Sequence, residues 1–345
     1  MMKKKTKKII FTVLGLLLCV AMLAGYKLYT YFYAPNIKVS ETDLLYIPTG
    51  SNMDDVYKLL SSENIVEDMA TFKRAANFLK FNKVRAGRYK IKNRMSNKAL
   101  IDMLRSGNQS AVRLTFSGNI RSNQKIASLA SRNIETDSIA ILEVLNDNAF
   151  LSQFGFNRNT VMGMFIPNTY EVYWNITAEG LVERMYNEYN RFWNEDRKSK
   201  IDKLNMPQGD VITLASIVAE ETNVVDEMPT IAGVYLNRIK VGMPLQADPT
   251  VKFALGDFSI RRVLNRHTDY DSPYNTYKNA GLPPSPICMP PIAAIDAVLN
   301  YENHEYYYFC ANSDFSGRHA FAKTLSQHNL NAQAYQRELN KKGIR

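Results

Sequence analysis

The sequence predicts an α+β protein with a single N-terminal transmembrane helix, a small α/β domain and a larger second domain. Three observations predict this architecture. An uncharged run of 18 residues lies near the N-terminus, a strand–helix–helix–strand–helix pattern follows it, and helix and strand periodicities are mixed after residue 111. A chain of 345 residues is long enough for two domains and an anchor.

The first 26 residues have the composition of a cytoplasmic tail and a membrane span. Residues 1–8 contain five lysines, residues 9–26 carry no charge, and Tyr and Phe residues follow. This order favours a cytoplasmic N-terminus and an exported body. The alternative is a cleaved signal peptide, although the apolar run is long for one and no small-residue cleavage site follows it closely.

Residues 27–43 are predicted to be a linker, and residues 44–110 a small α/β domain. Apolar spacing and turn residues define its elements, and Gly107 ends the last helix. We expect a strand at 45–48, helices at 54–60 and 69–79, a strand at 87–91 and a helix at 96–105.

Residues 111–345 are predicted to form the larger domain. Its middle is rich in Pro, Gly and Asn, which indicates loops between residues 242 and 291. We expect strands at 113–116 and 306–311 and helices at 122–132, 178–193, 210–221, 292–299 and 327–340.

Charge and cysteine content exclude some classes of function. The formal charge is +10, but half of it lies in the first eight residues, and no nucleic-acid-binding motif is present, so no nucleic-acid partner is expected. Cys19 lies in the predicted span, while Cys288 and Cys310 could either pair or be buried as small apolar residues. No Cys/His spacing is typical of a metal site, so neither a metal nor another cofactor is expected.

Glu221 is the first candidate catalytic residue. At 100° per residue, it falls on the apolar stripe of the predicted 210–221 helix with Leu214, Ile217 and Val218. Glu220 is rotated by about 100° towards Thr213 and Ser216, on the predicted polar side of the helix. A carboxyl group on an apolar surface is desolvated, which raises its pKa and suits it to act as a general acid. The alternative is that the helix ends here and both acids are solvated.

A series of motifs then resembles one family. LASIVAEET at 214–222 is followed by GVYLNR at 233–238, GMPLQADPTV at 242–251, SPYNTY at 272–277, GLPPSPI at 281–287 and HAFAKTLSQHN at 319–329. In this order and spacing, they resemble the YceG-like family of endolytic murein transglycosylases. GMFIPNTY at 163–170 is similar to an earlier block of the family.

The resemblance implies the fold and the reaction. The 44–110 region would be a LysM-like domain, and 111–345 a lysozyme-like catalytic domain with a β-containing insertion. The enzyme would cut peptidoglycan between N-acetylmuramic acid and N-acetylglucosamine in nascent strands, leaving a 1,6-anhydro end and terminating elongation. The family's catalytic glutamate precedes Ser or Thr, which here is Glu221 before Thr222.

The resemblance also implies location and partners. We expect a single-pass protein of the bacterial inner membrane, with the catalytic domain on the outer, periplasmic side. Glycan strands are the expected substrate, and peptidoglycan synthases are candidate protein partners. The family usually has an acid where Ala219 stands, and acids are common where Met162 and Asn168 stand, so no catalytic role is expected at those positions.

Eight further residues are candidates for substrate binding because amides, hydroxyls and carboxylates in loops can reach a sugar chain. Asp248 could instead form a turn or cap before Pro249, His319 could be structural, and Glu227 could be a solvated loop residue. The candidates are Glu227, Gln246, Asp248, Thr250, Tyr274, Asn275, Tyr277 and His319.

Two other functions remain open at this point. A protein that kept the fold but lost catalysis could hold glycan near a synthesis machine, although the retained Glu221 argues against this. An ordinary glycan hydrolase would normally use two carboxylates and water, and would leave a reducing end.

Overall fold

A computed structural model describes residues 4–40 and 42–343 of the chain. Within these residues, the helices and strands alternate irregularly. They are α1 (Lys4–Phe32), β1 (Thr42–Ile47), α2 (Met53–Ser62), α3 (Met69–Phe78), β2 (Gly87–Lys92), α4 (Asn97–Ser106), β3 (Val112–Phe116), α5 (Asn123–Ala130), α6 (Ser138–Asn146), α7 (Asn148–Ser152), β4 (Asn168–Val172), α8 (Ala178–Phe192), α9 (Glu195–Leu204), α10 (Gln208–Glu221), α11 (Met228–Lys240), α12 (Asp248–Leu255), α13 (Asn265–Thr268), α14 (Ile292–Leu299), β5 (Tyr308–Ala311), β6 (His319–Ala322) and α15 (Leu325–Lys341).

The expected mixture of helices and strands is confirmed, and each element predicted after the N-terminal helix is present with ends shifted by at most three residues. The predicted span at 9–26 lies within the longer helix α1. The helices that the sequence did not predict include α11 and α12, and α12 lies in the region interpreted as loops. Both helices carry proline in their first turn, Pro229 and Pro249. Proline is tolerated there because the first N–H groups of a helix have no intrahelical partner. It was therefore a helix-start signal rather than a loop signal.

The chain forms two compact units. The smaller contains the residues up to Arg113 together with 133–135 and 171–176, and the larger contains 114–132, 136–170 and 177–345. In the smaller unit, β1 and β2 pair antiparallel from Thr42–Lys92 to Ile47–Gly87. Tyr89 and Ile91 of β2 face a core shared with Leu45, Phe72 and Leu100, which are all fully buried.

Part of the linker predicted for residues 27–43 is packed into the smaller unit. Helix α1 continues to Phe32, which is buried in the core of the smaller unit, and Ile37 is 2% exposed in the same core. Ile37 also forms an isolated antiparallel bridge with Val66. The segment is held because its apolar side chains complete the core, which a polar, flexible linker would not do.

Helix α1 fits a single-pass membrane anchor. Between Thr6 and Phe32 it is long and apolar enough to cross a bilayer, and its apolar side chains from Ile9 to Leu28 are exposed. A signal sequence near the N-terminus would meet the same criteria.

Helix α10 is the centre of the larger unit. It packs against α11, α12 and α14, and every residue from Val211 to Ala219 is buried. The polar side assigned to Thr213 and Ser216 is therefore wrong. Their hydroxyls are satisfied internally, because Thr213 donates to the Gly209 carbonyl at 2.9 Å and Ser216 donates to the Thr213 carbonyl at 2.7 Å.

Gly233 allows a close approach to α11, which predicts a large difference between two glycine substitutions. A Cβ at Gly233 would lie 2.5 Å from the Glu302 carbonyl oxygen and 2.7 Å from His304 Nε2. We expect Gly233→Ala to destabilise the protein by about 1–3 kcal/mol through overpacking. Gly209→Ala, with no atom within 4 Å of its Cβ, should be neutral or stabilise by up to about 1 kcal/mol. Thermal melting of both variants tests this, and equal effects would contradict it.

Candidate active site

A cleft of about 290 Å³ in the larger unit contains Glu221. Its walls come from the end of α10, from α11, from the start of α12 and from strands β5 and β6. The cleft is lined by Glu221, Tyr235, Arg238, Leu245, Gln246, Asp248, Tyr277, Phe309, Cys310, Ala311 and His319.

Glu221 is the last residue of α10, and its carboxylate accepts a hydrogen bond from the Tyr235 hydroxyl at 2.6 Å on Oε1. Burial raises the pKa of Glu221 from 4.5 to about 7, although the Tyr235 hydrogen bond acts in the opposite direction. The charge of Asp248 also raises this pKa. A group with this pKa is populated in both protonation states near neutral pH, as an acid that later acts as a base requires.

A second carboxylate, Asp248, lines the same cleft at the first position of α12. It accepts a hydrogen bond from the Tyr277 hydroxyl at 2.6 Å on Oδ1. Burial, followed by this hydrogen bond, raises the pKa of Tyr277. Just before α12, Gln246 has a left-handed backbone with φ of +49°. Such a conformation is strained for a non-glycine residue and is common at functional sites.

His319 and Glu227 form a pair at the edge of the cleft. The Glu227 carboxylate accepts from the His319 backbone N–H at 2.7 Å and lies 2.9 Å from the His319 Nδ1. Glu227 is only 5% exposed, so it is not a solvated loop residue. With Nδ1–H donated to the carboxylate, the ring is fixed in orientation and Nε2 is free to accept a hydrogen bond.

Besides Glu227, three of the candidate binding residues lie outside the cleft lining. Thr250 and Asn275 are fully buried, and their side chains bond to protein groups. Thr250 donates to the Ala247 carbonyl at 2.7 Å, and Asn275 donates to the Tyr270 carbonyl at 2.7 Å. Tyr274 bonds to Ser285 at 2.5 Å. These residues shape the loops that carry Gln246 and Tyr277 rather than presenting free polar groups.

Tyr235 and Arg238, which lie on α11 and follow Glu221 by 14 and 17 residues, were not among the predicted site residues. Arg238 is 7% exposed and donates from Nε to the Tyr307 carbonyl at 2.6 Å and from Nη1 to the Leu245 carbonyl at 2.7 Å. It thereby ties α11 to β5 and to the segment before α12. The GVYLNR motif contained both residues, but its helical nature was hidden by Pro229.

Glu220, the neighbour of Glu221, forms an ion pair with Arg121. Arg121 Nη2 lies 2.7 Å from both of its carboxylate oxygens, and the Glu220 side chain is 15% exposed. Glu220 therefore faces a different part of the unit from the cleft, and its charge is already neutralised.

Of the two alternatives left open for Cys288 and Cys310, the structure has the unpaired one, because both thiols are free. Cys288 is buried, while Cys310 lies on the cleft wall. Among residues 4–40 and 42–343, no group of three or more His, Cys, Asp or Glu side chains is arranged to hold a metal ion.

Comparison with known proteins places this arrangement in a family. The model of the YceG-like family matches residues 45–334, which is most of the chain. The protein belongs to the YceG-like family. A crystal structure of a YceG-like protein from Listeria monocytogenes has 26% sequence identity and a TM-score of 0.55, and the match covers 85% of this chain and 99% of that one.

Two relatives of this YceG-like protein have names that state an activity. The endolytic murein transglycosylase of Bacillus subtilis is 30% identical over 312 residues, which is 86% of this chain and 85% of that protein. The endolytic murein transglycosylase of Streptococcus pneumoniae strain D39 is 26% identical over 316 residues, which is 83% of this chain but only 57% of that protein.

The raised pKa of Glu221 predicts a pH-dependent stability in this YceG-like protein. The folded chain binds the proton more tightly than the unfolded chain, so this contribution is complete below about pH 4.5 and is lost as the pH rises to about 7. Between about pH 5 and pH 8, Glu221→Gln should lose about 2–3 kcal/mol less stability than the wild type. Thermal melting across this range measures it, and parallel curves for the two proteins would contradict it.

Proposed function

We propose that this protein is an endolytic peptidoglycan lytic transglycosylase in which Glu221 is the single catalytic acid and base. The observation that carries the proposal is a half-buried carboxyl group with a pKa of about 7 in a polar cleft. Its membership of the YceG-like family and its similarity to proteins named endolytic murein transglycosylases support the same reaction.

The proposed reaction cuts the bond between N-acetylmuramic acid and N-acetylglucosamine. Protonated Glu221 donates its proton to the glycosidic oxygen, and the bond from that oxygen to C1 of the muramic acid breaks. The resulting Glu221 carboxylate accepts the proton of the C6 hydroxyl, whose oxygen bonds to C1. The products are a 1,6-anhydro-muramic acid end and a free hydroxyl on the other strand, and Glu221 is protonated again. No water is consumed.

The other cleft residues have binding roles in this proposal. Tyr235 holds the Glu221 carboxyl group in position, since its hydroxyl donates at 2.6 Å. Asp248, Gln246 and His319 line the cleft and offer acceptors and donors to sugar hydroxyl and acetamido groups. Glu227 orients His319 through its two contacts and does not itself line the cleft.

The main rival is an ordinary hydrolase, and Asp248 is the observation that favours it. A hydrolase would use this second cleft carboxylate to activate water or to attack C1. In the proposed reaction, Asp248 instead binds substrate and raises the pKa of Glu221 by its charge.

The products distinguish these reactions. Purified glycan strands cleaved by the full-length protein should yield fragments lighter by one water than the hydrolytic fragments, as measured by mass spectrometry. Internal cleavage should give fragments of several disaccharides from the start, as expected of an endolytic enzyme. Reducing ends would establish hydrolysis, and strands that bind without being cut would establish a binding protein.

The location of the protein is a second proposal. α1 would anchor it in the bacterial inner membrane, with both units on the periplasmic side, where nascent strands are made. Cleavage there would end glycan elongation, and peptidoglycan synthases are the proposed partners. The protein should remain in the membrane after an alkaline wash, whereas a shortened soluble chain would indicate a cleaved signal peptide.

The smaller unit is proposed to be a LysM-like domain that binds or orients glycan. It lies outside the Glu221 cleft and belongs to a separate compact unit. Substitutions on its surface should weaken cleavage of polymeric wall while leaving cleavage of short strands intact. Loss of both activities together would contradict a separate binding role.

A further inference from the structure

Positive charge in the smaller unit is concentrated in one stretch of chain. Residues 69–113 contain twelve Lys and Arg residues and one acid, Asp102, which is more net positive charge than the +10 of the whole chain. This stretch builds α3, β2 and α4. A surface with this charge favours an anionic partner.

The last turn of α1 is fixed to α3 and α4. The Phe32 ring lies 5.2 Å from the Phe78 ring at the end of α3, and Arg74 donates from Nη1 to the Tyr31 hydroxyl at 2.7 Å. On α4, Asn97 donates from Nδ2 to the Tyr31 carbonyl at 3.0 Å. The smaller unit therefore continues directly from the apolar helix.

The position of these contacts along α1 places them beside the lipid headgroups if α1 is the proposed membrane anchor. The uncharged run ends at Tyr26, and Phe32 is six residues further along the same helix. At about 1.5 Å per residue, this is about 9 Å. The headgroup layer on each side of a bilayer is about 5–8 Å thick. The parts of α3 and α4 that contact the end of α1 thus lie at the outer edge of the headgroup layer.

The side chains around this contact have the composition of a membrane interface. Phe78 is 71% exposed although it contacts Phe32, and Tyr29 and Tyr33 are 53% and 60% exposed. Arg105 of α4 donates from Nη2 to the Leu79 carbonyl at 2.6 Å, so it lies next to Phe78. We define the helix-end face as Tyr29, Tyr33, Arg74, Phe78 and Arg105.

We propose that the helix-end face lies on anionic phospholipid headgroups at the outer surface of the membrane. Exposed aromatic rings are enriched at the interface between lipid and water, and Lys and Arg at this depth contact lipid phosphates. The smaller unit then has a fixed orientation on the bilayer surface relative to α1. This inference rests on the proposed anchoring by α1 and on none of the proposed chemistry at Glu221.

The test uses the full-length protein in nanodiscs whose lipids carry a quencher near the headgroup. Phe78→Trp adds a reporter to the helix-end face, and the emission of the wild-type tryptophans is subtracted. Ile139→Trp is the matched control, because Ile139 is 69% exposed on the larger unit. We expect at least about twofold stronger quenching of the reporter at 78, most strongly with phosphatidylglycerol and less at high salt, which screens surface charge.

Charge removal tests the role of the basic residues. Combined Arg74→Gln and Arg105→Gln substitutions should weaken the contact of the smaller unit with anionic nanodiscs by about fivefold per charge. Lys90→Gln with Lys92→Gln is the control, because these residues point away from the core on the outward face of β2. This pair should leave quenching unchanged.

Several results would overturn the inference. They are equal quenching at 78 and 139, equal effects of the two sets of charge substitutions, and shielding of the reporter at 78 by purified glycan strands without lipid. A chain that does not enter nanodiscs would overturn the anchor as well. Glycan cleavage by the same preparations is scored separately, so failure of the enzymatic proposal has its own readout.

Discussion

Glu221→Gln is expected to abolish nearly all glycan cleavage while the protein remains folded. Glutamine keeps the size of the side chain and can still accept the Tyr235 hydrogen bond, which is 2.6 Å long in the wild type. It has no proton to give to the glycosidic oxygen and no carboxylate to accept the C6 hydroxyl proton. General acid or base catalysis contributes about 10²–10⁴-fold, and one residue serves both steps here, so we expect a loss at the upper end of that range or beyond.

Glu220→Gln is the matched control for this experiment. It neutralises the adjacent acid, which pairs with Arg121 at 2.7 Å and does not line the cleft. Its main expected effect is a stability loss, because a half-buried arginine loses its ionised partner. Cleavage by the folded variant should stay within about tenfold of the wild type. An active Glu221 variant together with an inactive Glu220 variant would reverse the assignment.

Tyr235→Phe and Asp248→Asn are expected to shift the pH dependence of cleavage in opposite directions. The Tyr235 hydrogen bond lowers the pKa of Glu221, and the charge of Asp248 raises it. Activity falls on the alkaline side as Glu221 loses the proton that it must donate. The alkaline limb of the pH–rate profile should therefore move to higher pH in Tyr235→Phe and to lower pH in Asp248→Asn.

Tyr235→Phe should also lower the rate by about 10–100-fold, because a hydrogen bond to a charged group contributes about 1.5–3 kcal/mol. Rates over a series of pH values on purified glycan strands give both quantities. Shifts in the same direction for the two variants would show that Glu221 does not set the alkaline limb. An unchanged limb in both would point to a different catalytic acid.

The sequence predicted Glu221 more securely than its surroundings. Helical projection placed Glu221 with Leu214, Ile217 and Val218, and the family motif selected the same residue before Thr222. The projection nevertheless misjudged the helix, because α10 is buried on all sides from Val211 to Ala219. A central helix needs no polar face, and its few hydroxyls bond to its own backbone.

The partners of Glu221 could not be read from local patterns because they are distant in the chain or depend on backbone geometry. Tyr235 lies on α11, and the Glu227–His319 pair joins residues 92 positions apart. Gln246 adopts a positive φ, a conformation that would have been predicted only for a glycine. Thr250 and Asn275 had suitable chemistry for a sugar site, yet tertiary packing uses them internally. Long-range packing thus separates cleft residues from supporting residues.

The most direct test of the central claim is cleavage of purified glycan strands in water enriched in ¹⁸O. In lytic cleavage, the C6 oxygen of the sugar bonds to C1, so no oxygen from solvent enters the products. We predict anhydro ends without ¹⁸O from the wild type, and no such ends from Glu221→Gln. Fragments with one ¹⁸O at a new reducing end would contradict the proposal and establish hydrolysis.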